Sequence, residues 1–365
     1  MEKPNILILG GCGFIGRNLV EYLVEEDLAR FIRVVDKCPP QLAWFNKNHQ
    51  KCFKNEIVEF KSANLINPES CSNAFSTDDF SWDFVINCAG ETKYGQTDPV
   101  YCEGILNLSL NCARESAKHL VRRYVEISSG QMYSNEKIGH KEDCNNEPFG
   151  SIAKWKLEVE KELGNIPNLK FTILRPALVY GCGDKSGLTT RIVAAALYKE
   201  LGKVMKLLWN SNLALNTIHV KDLCKAILFV CNKEEKVVGE IFNVVDEASS
   251  TQGTLANILS EIFNIKIDYY GTLLSAVVDL NSVADEANDK HLALWAEVCK
   301  REGTQNTPLT PYMNPELLSD KHLHLDGGKL KGLGFNCDVP KPSLDNIKVV
   351  IEDFIVMGIF PKALL

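Results

Sequence analysis

Three glycines, Gly10, Gly13 and Gly16, stand between the apolar run at residues 6–9 and a helical pattern, and Asp36 follows Gly16 by 20 residues. That combination constrains the chain more than any other feature. Glycine allows a tight turn and a close backbone approach, so a pyrophosphate can rest on free N–H groups at a helix N-terminus. A carboxylate at the end of the next strand accepts hydrogen bonds from the ribose hydroxyls of adenosine and repels a 2′-phosphate. The pair therefore predicts a dinucleotide site with NAD favoured over NADP. Lys37, beside the acid, is a cation that could tolerate the phosphate.

The rest of the first half keeps a β–α rhythm. Apolar strand runs are expected at residues 31–35, 57–60, 84–86, 124–127 and 171–174, with helices at 18–25, 105–117 and 153–163. Continuous apolar strands alternating with amphipathic helices imply a parallel sheet covered on both faces, and right-handed crossovers make it doubly wound. Past Tyr180 the spacing predicts a long helix over 188–208, a strand at 216–220, a helix at 221–231 and a strand at 241–245. Residues 251–348 read as loop-rich, with five prolines at 308, 311, 315, 340 and 342, and the apolar 349–360 run as a packed terminal helix. The expected division is a dinucleotide-binding unit at 1–185, rejoined by 215–246. A smaller, interleaved substrate-side unit takes 186–214 and 247–365.

Composition narrows the functional classes. With 45% hydrophobic and 24% charged residues among 365, a disordered chain, a collagen and a coiled coil are excluded. A net charge of −7 offers no positive field for nucleic acid or an anionic membrane. The 13 cysteines include no Cys-x-x-Cys pair, which argues against a disulfide framework and a structural zinc site, and no other metal cluster stands out. Reduced thiols and the lack of a leader-like N-terminus point to a cytoplasmic protein.

Further motifs fall in a recognisable order: Asn64-Leu65, Asn87-Cys88-Ala89-Gly90, Ser128-Ser129 with Tyr133, Arg175-Pro176-Ala177-Leu178-Val179-Tyr180-Gly181, Ile218-His219-Val220-Lys221-Asp222 and Phe242-Asn243-Val244. With the glycine loop, they make residues 5–265 resemble an extended short-chain dehydrogenase/reductase of the NAD-dependent epimerase/dehydratase type. The resemblance implies a Rossmann fold and NAD held by Gly10, Gly13, Phe14, Ile15, Gly16, Asp36, Lys37, Asn64, Leu65, Ala89, Gly90, Lys154 and Pro176. It also implies a homodimer formed through the 105–117 and 153–163 helices, and a small-molecule substrate or effector.

Family chemistry resembles hydride transfer assisted by a Tyr-x-x-x-Lys pair, whose phenol exchanges the substrate's hydroxyl proton while a serine bonds the same oxygen. Ser129, four residues before Tyr133, fits the serine position, with capping or packing as its competing role. The lysine is Lys154 or Lys156. Lys154 is favoured because Glu158 follows four residues later, as suits the family's helix. Lys154 places Gly150 at the tyrosine position, Lys156 places Ile152 there, and no tyrosine occurs between Tyr133 and Tyr180. The expected outcome is an atypical member that binds NAD and acts as a cofactor-dependent binding or regulatory protein, or as a very weak oxidoreductase. The alternative is an active enzyme with a relocated acid/base group, Tyr94 or Glu91. Sugar-nucleotide members also often carry an arginine four residues before the motif histidine, which meets a diphosphate. Here that residue is Leu215, and only Arg191 and Arg301 follow Arg175. His219 is expected to be structural, bonded to backbone.

Overall fold

The computed structural model describes residues 2–77, 79–233 and 235–365. Its centre is a seven-stranded sheet in the order β10-β6-β5-β4-β1-β2-β3, every neighbouring pair parallel. In chain order the first elements are β1 (Asn5–Leu9), α1 (Phe14–Glu25), β2 (Phe31–Asp36), α2 (Lys47–Cys52), β3 (Val58–Ser62), α3 (Pro68–Phe75) and β4 (Phe84–Asn87). Then come α4 (Asp98–Tyr101), a π-helical turn at Cys102–Asn107, α5 (Leu108–Lys118), β5 (Arg123–Ile127), α6 (Ser151–Leu163) and β6 (Phe171–Pro176). After these run β7 (Leu178–Tyr180), α7 (Leu188–Leu201), β8 (Met205–Leu207), β9 (Thr217–His219), α8 (Val220–Asn232), β10 (Glu240–Val244), α9 (Gln252–Phe263) and β11 (Ile267–Tyr269). The chain ends with α10 (Gly271–Ser275), α11 (Leu280–Arg301), α12 (Gly328–Gly332) and α13 (Leu344–Val356).

The apolar runs of β1, β2, β4, β5 and β6 are buried on both faces, as a sheet between two helix layers requires, whereas the edge strand β3 is only half-buried. In β1, Ile6 and Ile8 pack with Leu19 and Leu23 of α1 and Ile227 of α8. Leu7 and Leu9 point the other way, toward Phe75 of α3, Ala113 of α5 and Val159 of α6. A second core gathers α7, α9, α11 and α13 around Leu197, Phe263, Trp295 and Phe354. Leu323, Leu325, Leu330 and Phe335, from the stretch assigned by sequence to the substrate side, pack instead with the sheet.

Two departures have plain causes. The 188–208 helix stops at Leu201, because Gly202 adopts a left-handed cap (φ 59°) and the chain then forms β8. The loop-rich reading of 251–348 missed α11, a 22-residue helix whose apolar positions are sparse because much of it faces solvent. The terminal helix is present, and Ser343 and Asn346 close a reciprocal cap at its start. Among the described residues no helix is long and apolar enough to cross a membrane.

Candidate functional site

The strand order reverses between β4 and β1, and ligands of open parallel sheets sit at the carboxyl end of such a switch point. Gly10 takes a left-handed turn (φ 75°) there, and a Cβ on it would stand 2.6 Å from the Ala89 backbone. A Cβ on Gly16 would stand 2.5 Å from the Gly10 carbonyl. The loop is therefore closed to side chains. Gly13 caps α1 without offering a side chain, which leaves the first-turn N–H groups facing outward for an anion.

Asp36 lies at the end of β2, where its two carboxylate oxygens accept the N–H groups of Cys12 (3.0 Å) and Cys38 (2.9 Å). That fixes the acid beside the glycine turn, as its spacing predicts. Lys37 is exposed. Arg17 was not foreseen. Its buried guanidinium donates to the carbonyls of Gly13 (3.0 Å), Trp44 (3.0 Å) and Cys12 (2.5 Å), bracing the loop from beneath. Burial lowers its pKa to about 10. An arginine one turn into a helix looks like surface charge in sequence, so only the fold reveals this role.

From Ile15 in the first turn of α1 a cleft of about 330 Å³ runs across the sheet edge, within the size range of small-molecule sites. Ala89, Gly90, Tyr94, Ser129 and Pro176 line it, all of them expected from sequence. The loop holding the first two is tied down by Cys88 N–H to the Leu9 carbonyl (2.9 Å) and Glu91 N–H to Gly104 in the π-helical turn (2.9 Å). Cys88 also faces the cleft, but burial pushes its thiol up to about 12, so it is no nucleophile at neutral pH. Ser129 Oγ accepts the Gln131 N–H at 3.1 Å, which orients the hydroxyl and leaves its proton available.

The lysine assignment needs correction. Lys154 is exposed and takes no part in the cleft, whereas Lys156, half a turn further along α6, is buried and lines it. Its ammonium donates to the Ile127 carbonyl (2.7 Å) and to Glu126 Oε1 (3.2 Å). Glu126 is fully buried in β5 and also accepts from Asn87 Nδ2 (2.8 Å), Ser109 Oγ (3.1 Å) and Tyr124 OH (2.6 Å). The Ala-Lys-plus-Glu pattern misled because Lys154 and Lys156 lie on one helix and differ in the direction they face. Ile152, one turn before Lys156, lines the same cleft, and so does Phe149.

Other expected residues lie apart. Glu91 is not in the lining, and its Oε1 accepts the Lys93 N–H at 2.8 Å. Asn64 is exposed and folds back to accept the Ile66 N–H, while Leu65 is buried in the core behind the sheet. Tyr133 belongs to a buried scaffold: its hydroxyl donates to Asn243 Oδ1 (2.8 Å) and accepts from Arg175 (2.8 Å), which also grips Glu160. His219 Nδ1 accepts the Lys221 N–H at 3.3 Å at the start of α8, and burial lowers its pKa to about 4, so it is neutral and structural.

Sequence reasoning missed the cover of the cleft. Met313, Glu316, Leu317, Lys321 and Leu323 reach it from the far end of the chain. Glu316 accepts the Ser151 N–H (3.3 Å) at the start of α6, and Leu323 is bonded through its backbone to Ala214 and Asn216. No local pattern in that proline-rich stretch marks it as site-forming.

Residues 6–244 match the NAD dependent epimerase/dehydratase family. The chain belongs to this family. NAD is its cofactor, and the glycine cradle, the open helix end and the placed carboxylate of this epimerase/dehydratase homologue fit that group. No curated protein matches the sequence. Among solved structures it is similar to a UDP-glucose 4-epimerase from Thermotoga maritima with UDP-glucose (20% identity, 96% of this chain and 98% of that one, TM-score 0.68). It is also similar to a dTDP-glucose 4,6-dehydratase from Bacillus anthracis in complex with NAD (16% identity, 99% and 100%, TM-score 0.70). A Thermus thermophilus UDP-glucose 4-epimerase with NAD aligns too (19% identity, 96% and 99%, TM-score 0.64). At these identities the likeness is one of fold.

Proposed function

We propose that this epimerase/dehydratase homologue binds NAD(H) with a degraded Tyr-x-x-x-Lys pair. It acts as a cofactor-dependent binding or regulatory protein, or as a very weak oxidoreductase. The observation that carries the reading is the placement of Ile152 and Lys156 along the same cleft, one helical turn apart. Lys156 sits where a ribose hydroxyl can be held, and the residue four before it has no proton to exchange. Asp36, Gly10, Gly13, Gly16, Ile15, Ala89, Gly90 and Pro176 would hold the dinucleotide. Ser129 would bond a ligand oxygen without an adjacent phenol to complete proton transfer.

Among the described residues Tyr94 is the tyrosine that lines the cleft and could supply that phenol. Burial, and after it the Glu316 carboxylate, raise its pKa, so less of it is phenolate at neutral pH than for a free tyrosine. On the same reading the protein works in the cytoplasm as a homodimer on a small molecule, without nucleic acid or a membrane.

Calorimetric titration of the cofactor-stripped protein with NAD⁺, NADH, NADP⁺ and NADPH tests the first half. Preference for the NAD pair is expected, with Asp36→Ala weakening it about 10- to 100-fold, as loss of a charged hydrogen bond implies. Turnover assays with UDP-glucose and dTDP-glucose test the second. Activity that is robust in the wild type and abolished by Ser129→Ala would overturn the degraded-site reading.

A further inference from the structure

An acid in the middle of β5 is costly in an apolar sheet unless something answers its charge. Alternation along the strand turns Val125 and Ile127 toward the core that holds α1 and α8, and Tyr124 toward the core that holds α3 and α5. Glu126 is fully buried on the Tyr124 side, within reach of that tyrosine's hydroxyl. Three of its donors, Asn87, Ser109 and Tyr124, are neutral, and Asn87 Nδ2 also donates to Ser109 Oγ (3.0 Å). The fourth is the Lys156 ammonium, which brings the charge that answers the carboxylate.

The same pairing governs the lysine. Its ammonium gives one N–H to Glu126 and a second to the Ile127 carbonyl, which leaves the third for the cleft. A Cβ on Gly90 would stand 3.6 Å from Lys156 Nζ, so the side chain ends against the Ala89–Gly90 loop that lines the same cleft. Neighbouring groups do not compete for it. Glu160, one turn further along α6, is gripped by Arg175, Glu316 accepts the Ser151 N–H, and the Cys88 thiol is uncharged at neutral pH. An uncancelled ammonium at this wall would repel a cation in the cleft, and at the effective dielectric of a protein that repulsion reaches beyond contact distance. Oxidised nicotinamide is such a cation, whereas the reduced ring is neutral.

We propose that Glu126 is a positioning residue for the coenzyme: it fixes the Lys156 ammonium for hydrogen bonding and cancels its charge, so that the cleft accepts the cationic, oxidised nicotinamide as well as the neutral, reduced one. Lys156 then acts as a hydrogen-bond donor and not as a source of positive field. This inference rests on the cofactor-binding reading above, and it names what sets the preference between the two redox forms.

Calorimetric titrations with NAD⁺ and with NADH test it. Glu126→Gln keeps the shape and removes the charge, and it should weaken NAD⁺ about tenfold more than NADH. Lys156→Met leaves the carboxylate unanswered and should move the ratio of the two affinities the other way. Glu126→Gln combined with Lys156→Met should return that ratio to the wild-type value, because neither charge remains. Equal losses for both coenzymes in Glu126→Gln, the pattern of a merely structural residue, would overturn the proposal, and so would a ratio that stays shifted in the double variant. If Glu126→Gln fails to fold, Lys156→Met and the double variant carry the comparison, and identical ratios in these two and the wild type would overturn the proposal equally. A wild type that binds neither coenzyme defeats the cofactor reading. The pairing is then judged by ¹⁵N–¹H spectra of the lysine ammonium groups: a slowly exchanging signal, assigned by its absence in Lys156→Met, is expected in the wild type and should be lost in Glu126→Gln, and its persistence there would overturn the positioning role.

Discussion

Single side chains in this protein are set by what surrounds them more than by their type. Lys154 and Lys156 are two positions apart and chemically identical, yet one faces solvent and the other is anchored on the buried Glu126 at the cleft wall. Asp246 shows the same effect in its titration. It is buried after β10, bonded by Thr217 Oγ1 (2.6 Å) and the Ala248 N–H (3.0 Å), and burial pushes its pKa up to about 6. Between the ordinary aspartate value near pH 4 and pH 6 the unfolded chain has released this proton while the folded one still holds it. Stability therefore falls as pH rises through that window and is flat above it. Asp246→Asn keeps the Ala248 bond and removes the titration. Urea unfolding should show the variant gaining about 2 kcal/mol relative to wild type between pH 4 and pH 7. A wild-type-to-variant difference that does not change with pH would contradict the assignment.

At the scale of elements, the boundaries follow from a few backbone positions. Hydrophobic periodicity runs on past residue 201, but Gly202 turns the chain into the left-handed region, and the Gly202 and Lys203 N–H groups satisfy the last carbonyls of α7. Nothing lies within 4 Å of where a Cβ on Gly202 would point, so the cost of a side chain there is purely conformational. Gly202→Ala should lower unfolding free energy by about 1 kcal/mol in urea titration. An unchanged midpoint would show that the cap is not held in that conformation. The α7 start is fixed equally locally, by the Asp184 carboxylate, which accepts the N–H groups of Ser186, Gly187 and Thr189. Together these two ends aim the first turn of α7 at the cleft.

For the whole molecule, the question is how the two cores are joined. Leu215 packs against both of them, and the cleft lies along that seam, so a ligand there touches both halves. NAD at about 100 times its Kd should add about 2.7 kcal/mol of stability and raise Tm by a few degrees. Scanning calorimetry should show one transition that moves as a unit. Two peaks with only the first shifted would mean that the halves unfold independently.

The sequence by itself determined the sheet and the nucleotide loop. Apolar runs buried on both faces, the glycine triplet and the acid 20 residues on are local patterns, and a parallel sheet requires them wherever it occurs. The proposal of a degraded Tyr-x-x-x-Lys pair also starts from the sequence, because Gly150 and Ile152 stand four residues before Lys154 and Lys156. Tertiary structure alone decided which lysine enters the cleft, that Arg17 braces the loop, that residues 313–323 close over the ligand side and that Glu126 pairs with Lys156. Each of these depends on the direction of a side chain or on a meeting of segments that are separated along the chain. Neither leaves a trace in local periodicity, since a helix pattern shows which face is apolar but not which neighbour that face will meet.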